Sequence, residues 1–202
     1  MCTPHSTSPR SEFILGGQKS GKSRRAELLA REWLAVSDSH HALLIATAQP
    51  WDDEMRARIE RHQADRAARV PGLRTIEEPR QLAEVIAQHS RPDTLLVVDC
   101  LTLWLTNWLM PMEQSLETNL EPNRPLAPVP YAPVAMLLDS IARAPGPLVL
   151  VGNEIGLGVI PMGAEVRAFV DALGCLNQDV AGVCQRVTLM AAGLPLTLKD
   201  AR

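Results

Sequence analysis

The stretch Gly16-Gly17-Gln18-Lys19-Ser20-Gly21-Lys22-Ser23 satisfies the pattern G-x-x-x-x-G-K-[ST] and directly follows the apolar run Phe13-Ile14-Leu15. A stretch of this kind between a strand and a helix is typical of a phosphate-binding loop. Its glycines let the backbone turn tightly and direct successive N–H groups into one concavity, at the positive end of the helix that follows. In such a loop Lys22 reaches the β- and γ-phosphates of a nucleotide, and the Ser23 hydroxyl binds Mg²⁺. We therefore predict that residues 16–23 bind nucleotide phosphates; a glycine-rich turn that matches by chance is the alternative.

Short apolar segments alternate with segments of helical periodicity along the rest of the chain. This alternation predicts parallel β-α units with helices on both faces of a sheet. Candidate strands are 12–15, 42–47, 74–77, 94–99, 148–152, 187–191 and 196–199. The last two are separated by Gly193-Leu194-Pro195 and predict a terminal hairpin. We therefore expect the α/β class: a single-domain P-loop fold of the RecA-like kind, with a mostly parallel sheet flanked by helices and a C-terminal hairpin.

The domain organisation follows from two polar stretches. Residues 1–11 predict a disordered or extended tail, and residues 12–202 predict one P-loop nucleotide-binding domain. Within it, the stretch 111–133 contains six prolines, which exclude a continuous helix or a central strand. We interpret this stretch as a surface loop. A linker between two domains is the competing interpretation, but the strands that follow 133 complete the same sheet.

Composition and charge limit the kinds of partner. The chain has 202 residues, of which 46% are hydrophobic, with a net charge of −3 and a pI near 6.0. Because the charges are scattered and form no basic stripe, we do not expect a nucleic-acid partner. No apolar stretch approaches a membrane span and residues 1–11 do not resemble a signal peptide, so we expect a cytoplasmic location. The absence of a C-x-x-C pair or zinc spacing favours free thiols at the four cysteines, which are Cys2, Cys100, Cys175 and Cys184.

Polar residues follow two further strand candidates. Asp99 closes the apolar run 95–98 and is expected at the carboxyl end of a central strand. A carboxylate there can hold Mg²⁺ and can accept a proton from an attacking hydroxyl; a cap for the helix from Cys100 onward is the alternative. The strand candidate 148–151 continues into Gly152, Asn153 and Glu154. Asn153 and Glu154 should therefore reach the same sheet edge, where open α/β sheets bind ligands.

The stretch DDEMRARIERH, residues 52–62, predicts a helix with a histidine at its surface. Pro50 and the acidic residues at 52–54 are typical of a helix start. On this helix His62 lies one turn after Arg58 and one turn before Arg66. Two guanidinium groups beside an imidazole would offer positive charge to a triphosphate. The alternative is a surface histidine without a role, which is common on charged amphipathic helices.

The stretches GGQKSGKS, DDEMRARIERHQADR, RTIEEP, VDCLTLWLTN, GNEIGLGVIP, LNQDVA and AGLPLTLK occur in this order. Together they resemble the bifunctional adenosylcobinamide kinase and adenosylcobinamide-phosphate guanylyltransferase family. The resemblance runs from about Phe13 to Lys199. Its loop motif is generic, whereas D-D-E-M-x-x-R-I-x-x-H and N-E-I-G-x-G-x-[IV]-P are specific. Cys175 departs from it, because it stands where the pattern G-R-x-N-Q has arginine.

The resemblance implies two transfers at phosphorus in cobalamin biosynthesis. The first phosphorylates the aminopropanol hydroxyl of adenosylcobinamide with ATP or GTP. The second transfers GMP from GTP to that phosphate through a guanylyl-histidine intermediate, and it gives adenosylcobinamide-GDP and pyrophosphate. The resemblance further implies Mg²⁺ as cofactor, the corrinoid as substrate, and a homo-oligomer that in the family is a trimer.

The resemblance also implies roles for individual residues. His62 is the guanylylated nucleophile, Lys22 and Asp99 act in catalysis, and Ser23 and Asp99 hold Mg²⁺. Residues 16–23 and Glu77 of the RTIEEP stretch bind the nucleotide. We assign Arg58 and Arg66 to nucleotide binding on their charge, since the leaving pyrophosphate and the pentavalent phosphorus accumulate negative charge. Asn153 and Glu154 are candidates for contacting the substrate or for supporting residues that do.

Two other kinds of protein fit part of the pattern. A phosphate-loop kinase with a single activity and another hydroxylated substrate accounts for Lys22, Ser23 and Asp99 but leaves His62 without a role. A non-catalytic nucleotide-binding protein accounts for the loop alone. The three differ in what they do with GTP: a label from the α-phosphate on His62, transfer of the γ-phosphate only, or binding only.

Overall fold

The computed structural model describes residues 10–50, 52–110 and 131–201. These ranges contain six helices and seven strands. The strands are β1 Ser11–Gly16, β2 His41–Ala46, β3 Leu73–Glu77, β4 Thr94–Asp99, β5 Leu148–Val151, β6 Arg186–Ala191 and β7 Leu194–Asp200. The helices are α1 Lys22–Leu34, α2 Asp53–Arg69, α3 Leu82–His89, α4 Leu101–Leu109, α5 Tyr131–Arg143 and α6 Ala164–Val183.

The seven strands form one sheet in the order β3-β2-β4-β5-β1-β6-β7. Every neighbouring pair is parallel except β6 and β7, which are antiparallel. Parallel neighbours need crossover connections, and helices between successive strands provide them. The prediction of a mostly parallel sheet with a C-terminal hairpin is therefore confirmed, and each predicted strand is present with ends that differ by at most two residues.

Side chains of the central strands alternate between two apolar cores. Phe13 and Leu15 face the core that contains apolar residues of α3, α4, α5 and α6. Ile14 faces the other core, to which α1 contributes Ala26 and Ala30. Because successive strand residues point to opposite faces, this alternation requires helices on both faces of the sheet, as predicted.

The terminal hairpin turns earlier than the sequence predicted. Ala192 and Gly193 form the turn, with φ angles of 52° and 80°, and Leu194 and Pro195 belong to β7. Two successive residues in the left-handed region match the twist of the strands in a tight hairpin. Pro195 is accommodated because β7 is an edge strand, where a missing N–H costs no ladder bond.

Two predicted boundaries also differ from the structure. Ser11, the last residue of the predicted tail, is buried as the first residue of β1. The predicted proline-rich loop ends at 133, but α5 begins at Tyr131, so Pro133 lies in its first turn. Proline is tolerated there because the first N–H groups of a helix have no intrahelical acceptor. Residues 1–9 of the tail and 111–130 of the loop lie outside the described ranges.

The cysteines in the described ranges are free thiols, as expected. Cys100 and Cys184 are buried, and Cys175 is exposed on α6. Burial raises the pKa of the Cys184 thiol to about 12. Cys2 lies outside the described ranges.

Within the described ranges, every helix is too short or too polar to cross a bilayer.

Candidate functional site

The predicted phosphate-binding loop is a tight turn between β1 and α1. Gly16, Lys19 and Gly21 have φ angles of 151°, 54° and 101°. Gly21 is the N-cap residue of α1, whose first turn contains no acidic side chain. The unpaired amides of that first turn are therefore available to an anion, without a carboxylate that competes for them.

The C-terminal hairpin supports this loop. The Gly193 N–H donates to the Ser20 carbonyl at 3.0 Å. A Cβ atom on Gly21 would lie 3.3 Å from the Gly193 Cα atom, and one on Gly16 would lie 2.5 Å from the Met190 carbonyl oxygen. The sequence does not predict this role of the hairpin. The only sequence signal was the glycine in AGLPLTLK, and a glycine at a hairpin turn does not show that the turn contacts the loop.

Alanine substitutions at Gly16 and Gly17 should differ in their effect on stability, because only Gly16 packs against the hairpin strand that contains Met190. Gly16→Ala places a Cβ atom 2.5 Å from the Met190 carbonyl oxygen and 2.6 Å from Ser20 Oγ, at a positive φ angle. We expect it to lower the free energy of unfolding by about 1–3 kcal/mol. Gly17→Ala meets no atom within 4 Å and should change it by less than about 0.5 kcal/mol. Denaturant unfolding of both variants measures the difference, and equal losses would contradict this packing.

Lys22, the first residue of α1, is buried within the loop. Its Nζ atom donates to the Gly17 carbonyl at 2.6 Å, and the residue is only 8% exposed. Burial lowers the pKa of the Lys22 ammonium, and negative charge on Cys100 and Asp99 opposes this effect. Because burial raises the pKa of the Cys100 thiol, the Asp99 carboxylate is the negative charge beside Lys22 at neutral pH. The charges of Lys22 and Asp99 therefore interact at this edge of the sheet.

The lowered pKa of Lys22 predicts proton uptake when a nucleotide binds at alkaline pH. Burial penalises the ammonium at pH values below the lowered pKa, and this penalty disappears as the pH rises toward the ordinary pKa. A triphosphate beside Lys22 stabilises the ammonium and raises its pKa again, so the affinity falls as the pH rises between the two values. Calorimetric titrations at a series of alkaline pH values below 10.5, the ordinary pKa of lysine, in buffers of different ionisation enthalpy, measure the uptake. Lys22→Gln should abolish it, and identical heats for the original protein in both buffers would refute it.

Asp99 lies at the end of β4, one strand away from the loop. The register pairs Asp99 with Val151 of β5, and Val151 with Ile14 of β1. The Arg66 Nη1 atom lies 3.7 Å from Asp99 Oδ2, and Arg66 is 8% exposed. The N-cap residue of α4 is Cys100, so Asp99 does not occupy the capping position that was the alternative explanation for it.

The chain immediately after Asp99 is fixed by Thr47, which follows β2. Thr47 Oγ1 donates to the Cys100 carbonyl at 2.7 Å and accepts from the Cys100 N–H at 2.9 Å. The Thr47 N–H donates to the Asp99 carbonyl at 3.1 Å. The sequence predicts Thr47 as the last residue of a strand and does not predict a role for it in the site. These bonds hold the backbone of Asp99 at the edge of the sheet.

The residues around the loop fit a magnesium ion bound together with nucleotide phosphates. Ser23 and Asp99 offer oxygen ligands, which Mg²⁺ prefers. Ser20 Oγ, within the loop, is buried without a hydrogen-bond partner among the described residues. In the described ranges no three His, Cys, Asp or Glu side chains form a metal site of their own. Phosphate oxygens and water would therefore complete the coordination, as is common for Mg²⁺.

The helix predicted to carry the histidine is α2. Asp52 is its N-cap residue and accepts from the Met55 N–H at 2.6 Å. His62 is exposed, and its imidazole takes part in none of the hydrogen bonds or ion pairs of the described residues. The next residue, Gln63, donates to Glu77 Oε1 at the end of β3, at 3.1 Å. The structure thus places Arg66 and Glu77 near the sheet edge, and it places His62 on the exposed side of the helix that carries Arg66. The side chain of Arg58 lies outside the described part of the structure.

Asn153 and Glu154 follow β5 beside the loop. The Glu154 N–H donates to the Gly16 carbonyl at 3.1 Å, and the Asn153 N–H donates to Thr102 Oγ1 at 2.9 Å. Asn177 of α6 donates from Nδ2 to the Asn153 carbonyl at 3.0 Å. Thr102 and Asn177 were not predicted to belong to the site, although both lie in stretches that carry the family resemblance. They position the segment after β5 through its backbone.

The indoles of Trp51, Trp104 and Trp108 are candidates for flat apolar contact with a substrate, and core packing is the alternative role. Trp104 is 1% exposed and donates to the Arg80 carbonyl at 2.9 Å, so it packs in the core. Trp108 is half-buried, with the Arg80 guanidinium 5.6 Å from its ring centroid. Trp51 lies outside the described ranges. Core packing, the alternative role, therefore describes Trp104.

Comparison with known proteins places this geometry in a family. Residues 12–198 match the family described as cobinamide kinase / cobinamide phosphate guanyltransferase. The chain is 45% identical over 190 residues to the bifunctional adenosylcobalamin biosynthesis protein CobP of Pseudomonas aeruginosa, with 93% of this chain and 96% of that protein covered. It is 34% identical to CobU of Escherichia coli and 33% identical to CobU of Salmonella typhimurium, both bifunctional adenosylcobalamin biosynthesis proteins, with 93% of this chain and 98% of each relative covered. The resemblance inferred from the seven stretches is confirmed: the chain belongs to the cobinamide kinase / cobinamide phosphate guanyltransferase family, and like its members it is an enzyme.

Proposed function

We propose that this protein phosphorylates adenosylcobinamide and then transfers GMP to the resulting phosphate through a guanylylated His62. Family membership and the names of the relatives support the two activities. The observation that carries the assignment of residues is that the Asp99 carboxylate interacts with the charge of Lys22 in the loop and lies 3.7 Å from the Arg66 guanidinium. His62 is on the same helix as Arg66, one turn before it.

In the proposed kinase step, the aminopropanol hydroxyl of the corrinoid attacks the γ-phosphorus of ATP or GTP. The new O–P bond forms as the bond between the γ-phosphorus and the bridging oxygen breaks, and the nucleoside diphosphate leaves. The hydroxyl proton passes to the Asp99 carboxylate. The amides of residues 16–23 and the Lys22 ammonium stabilise the phosphate oxygens, where charge develops. Bound Mg²⁺, held by Ser23 and Asp99, would supply further neutralisation of this charge.

In the proposed guanylyl transfer, the lone pair of a neutral His62 nitrogen attacks the α-phosphorus of GTP. A P–N bond forms, the bond from the α-phosphorus to the bridging oxygen breaks, and pyrophosphate leaves. An oxygen of adenosylcobinamide phosphate then attacks the same phosphorus, which breaks the P–N bond and restores the imidazole. Arg66 and Arg58 stabilise the negative charge that builds on phosphorus and on pyrophosphate. Glu77 binds the nucleotide in this proposal, and it also accepts from Gln63, the residue that follows His62.

The exposed position of His62 supports a shift of α2 toward the loop between the two reactions. The first reaction needs the loop and Asp99, and the second also needs the imidazole. A movement of α2 would therefore select the reaction. Crystals without nucleotide and with GTP should show different positions of His62, and an unchanged position would argue against the shift.

The corrinoid is the second substrate in this proposal, and the protein acts in the cytoplasm. It assembles as a homo-oligomer, which by resemblance to the family is a trimer. The segment after β5 supports assembly, because Leu157, Val159 and Met162 are at least 80% exposed. A second copy would remove this apolar surface from water. Sedimentation of the purified protein measures the assembly.

Labelled nucleotides test the proposed function directly. With adenosylcobinamide and Mg²⁺, γ-labelled GTP or ATP should label adenosylcobinamide phosphate, and α-labelled GTP should label adenosylcobinamide-GDP. Transfer of the γ label without the α label would leave only a kinase. Binding without any transfer would leave only a nucleotide-binding protein.

A further inference from the structure

A buried carboxylate on α1 pairs with an arginine from the helix that carries His62. Glu27 is 5% exposed, and it lies five residues after Lys22 on α1. Arg69, in the last turn of α2, places Nε 2.8 Å from Glu27 Oε2 and donates from Nη2 to Oε1 at 3.1 Å. The phosphate-loop helix and the His62 helix are thus joined by two contacts between one pair of side chains.

This pair holds α2 at a defined place. A buried carboxylate without a charged or hydrogen-bonding partner is costly, so Glu27 favours the arrangement in which Arg69 reaches it. The neighbouring contact between Arg66 and Asp99 is longer, at 3.7 Å. In the proposed reactions Arg66 and Asp99 also turn to the nucleotide and cannot fix the helix at the same time. Neither Glu27 nor Arg69 contacts a substrate in the proposed reactions, so this pair remains available to hold the helix.

The helix geometry connects this anchor to His62. Residues 62, 66 and 69 are separated by four and by three positions, so they form one stripe along α2. Arg66 reaches Asp99 and Arg69 reaches Glu27, so the stripe faces the end of β4 and the helix that follows the phosphate loop. His62 lies seven residues from Arg69, about 10 Å along the helix axis. A rotation or slide of α2 at Arg69 therefore moves the imidazole relative to a phosphate in the loop.

We propose that the Glu27–Arg69 pair is a positioning contact for guanylyl transfer: it fixes the C-terminal end of α2 beside α1, so that the proposed shift of α2 pivots about Arg69 and brings His62 against the α-phosphate of GTP. The kinase step uses the loop and Asp99 but not His62, so it does not depend on this pair. The inference rests on the proposed nucleophilic role of His62. Arg69 acts through His62 and contacts neither substrate.

The test compares the two activities in variants of the pair. We expect Arg69→Gln to slow guanylylation of His62 at saturating GTP by about tenfold or more, because small misplacements of a reacting group are costly. The kcat and KM of the kinase step should change by less than about twofold. Arg69→Lys keeps the charge but loses one contact, so guanylylation should slow less than in Arg69→Gln. In the double variant with Glu27→Gln and Arg69→Gln, the rise in the activation free energy of guanylylation should be smaller than the sum of the two single rises, as expected for residues in contact.

Arg56→Gln is the matched control. Arg56 is exposed on the same helix, and among the described residues its ion pair is with the exposed Asp53 of α2, at 2.8 Å. The substitution removes an arginine and an ion pair without changing a contact with α1, so both activities should remain. Two results would overturn the positioning role: equal losses of the kinase and guanylylation activities in Arg69→Gln and Arg69→Lys, or unchanged guanylylation in these variants. If the original protein forms the adduct, either result leaves the proposed function standing. An original protein that never forms the adduct would overturn the proposed function, and the positioning role with it.

Discussion

Replacement of His62 by alanine should abolish GMP transfer while the kinase reaction continues. Without an imidazole the α-phosphorus of GTP has no nucleophile on α2, so the covalent step should fall by at least about 10³-fold. The side chain is exposed and makes no described contact that the fold needs, so the free energy of unfolding should change by less than about 0.5 kcal/mol. The rate of pyrophosphate release from GTP, in the presence of adenosylcobinamide phosphate, measures the loss.

Glu60→Ala is a suitable control for His62→Ala. Glu60 is also exposed on α2, two residues away, and the described residues offer it no partner. Both activities should survive its removal. Loss of the kinase reaction in His62→Ala, in parallel with GMP transfer, would mean that the histidine supports the fold or the loop rather than one chemical step.

Replacement of Lys22 by alanine should remove both activities. Lys22 is the buried cation of the loop, with its ammonium 2.6 Å from the Gly17 carbonyl and close to Asp99. Both proposed transfers place a triphosphate in this loop, so both lose the same charge stabilisation. We expect kcat/KM to fall by about 10²–10³-fold in each reaction, the usual cost of one preorganised donor at a reacting phosphate or oxyanion. Assays of the two reactions with the same preparation measure this.

Arg31→Ala is the control on the helix that Lys22 begins. Arg31 is exposed in the last turn of α1, and its side chain makes no described contact. Its removal should leave both activities. A Lys22 variant that retains GMP transfer while losing the kinase reaction would show that GTP is guanylylating His62 from a different site.

Sequence patterns sufficed for the loop and for the sheet edge. The pattern at 16–23 is local, and a buried run that ends in Asp99 marks the end of a central strand without reference to the rest of the chain. Parallel strands then bring Gly16, Asp99 and Asn153 to one edge, because their carboxyl ends coincide.

Contacts between distant segments were not predictable in the same way. Gly193 supports Ser20 across more than 170 residues, and Asn177 holds the Asn153 carbonyl from the middle of α6. Arg69 reaches Glu27 because the last turn of α2 lies beside α1, a relation that helical periodicity does not specify. The same limit applies to His62: the helix and its surface histidine were predictable, but the position of the imidazole relative to the loop depends on how α2 packs.

The central claim is that His62 carries a GMP group between the two substrates. The direct measurement is mass spectrometry of the peptide that contains His62, after the purified protein has reacted with GTP and Mg²⁺ and has been denatured in alkali to preserve a P–N bond. We expect that peptide to gain the mass of one guanylyl group and to lose it in acid. When adenosylcobinamide phosphate is added before denaturation, the peptide should no longer carry the group. A folded protein that binds GTP and leaves His62 unmodified, or that carries GMP on another residue, would contradict the account.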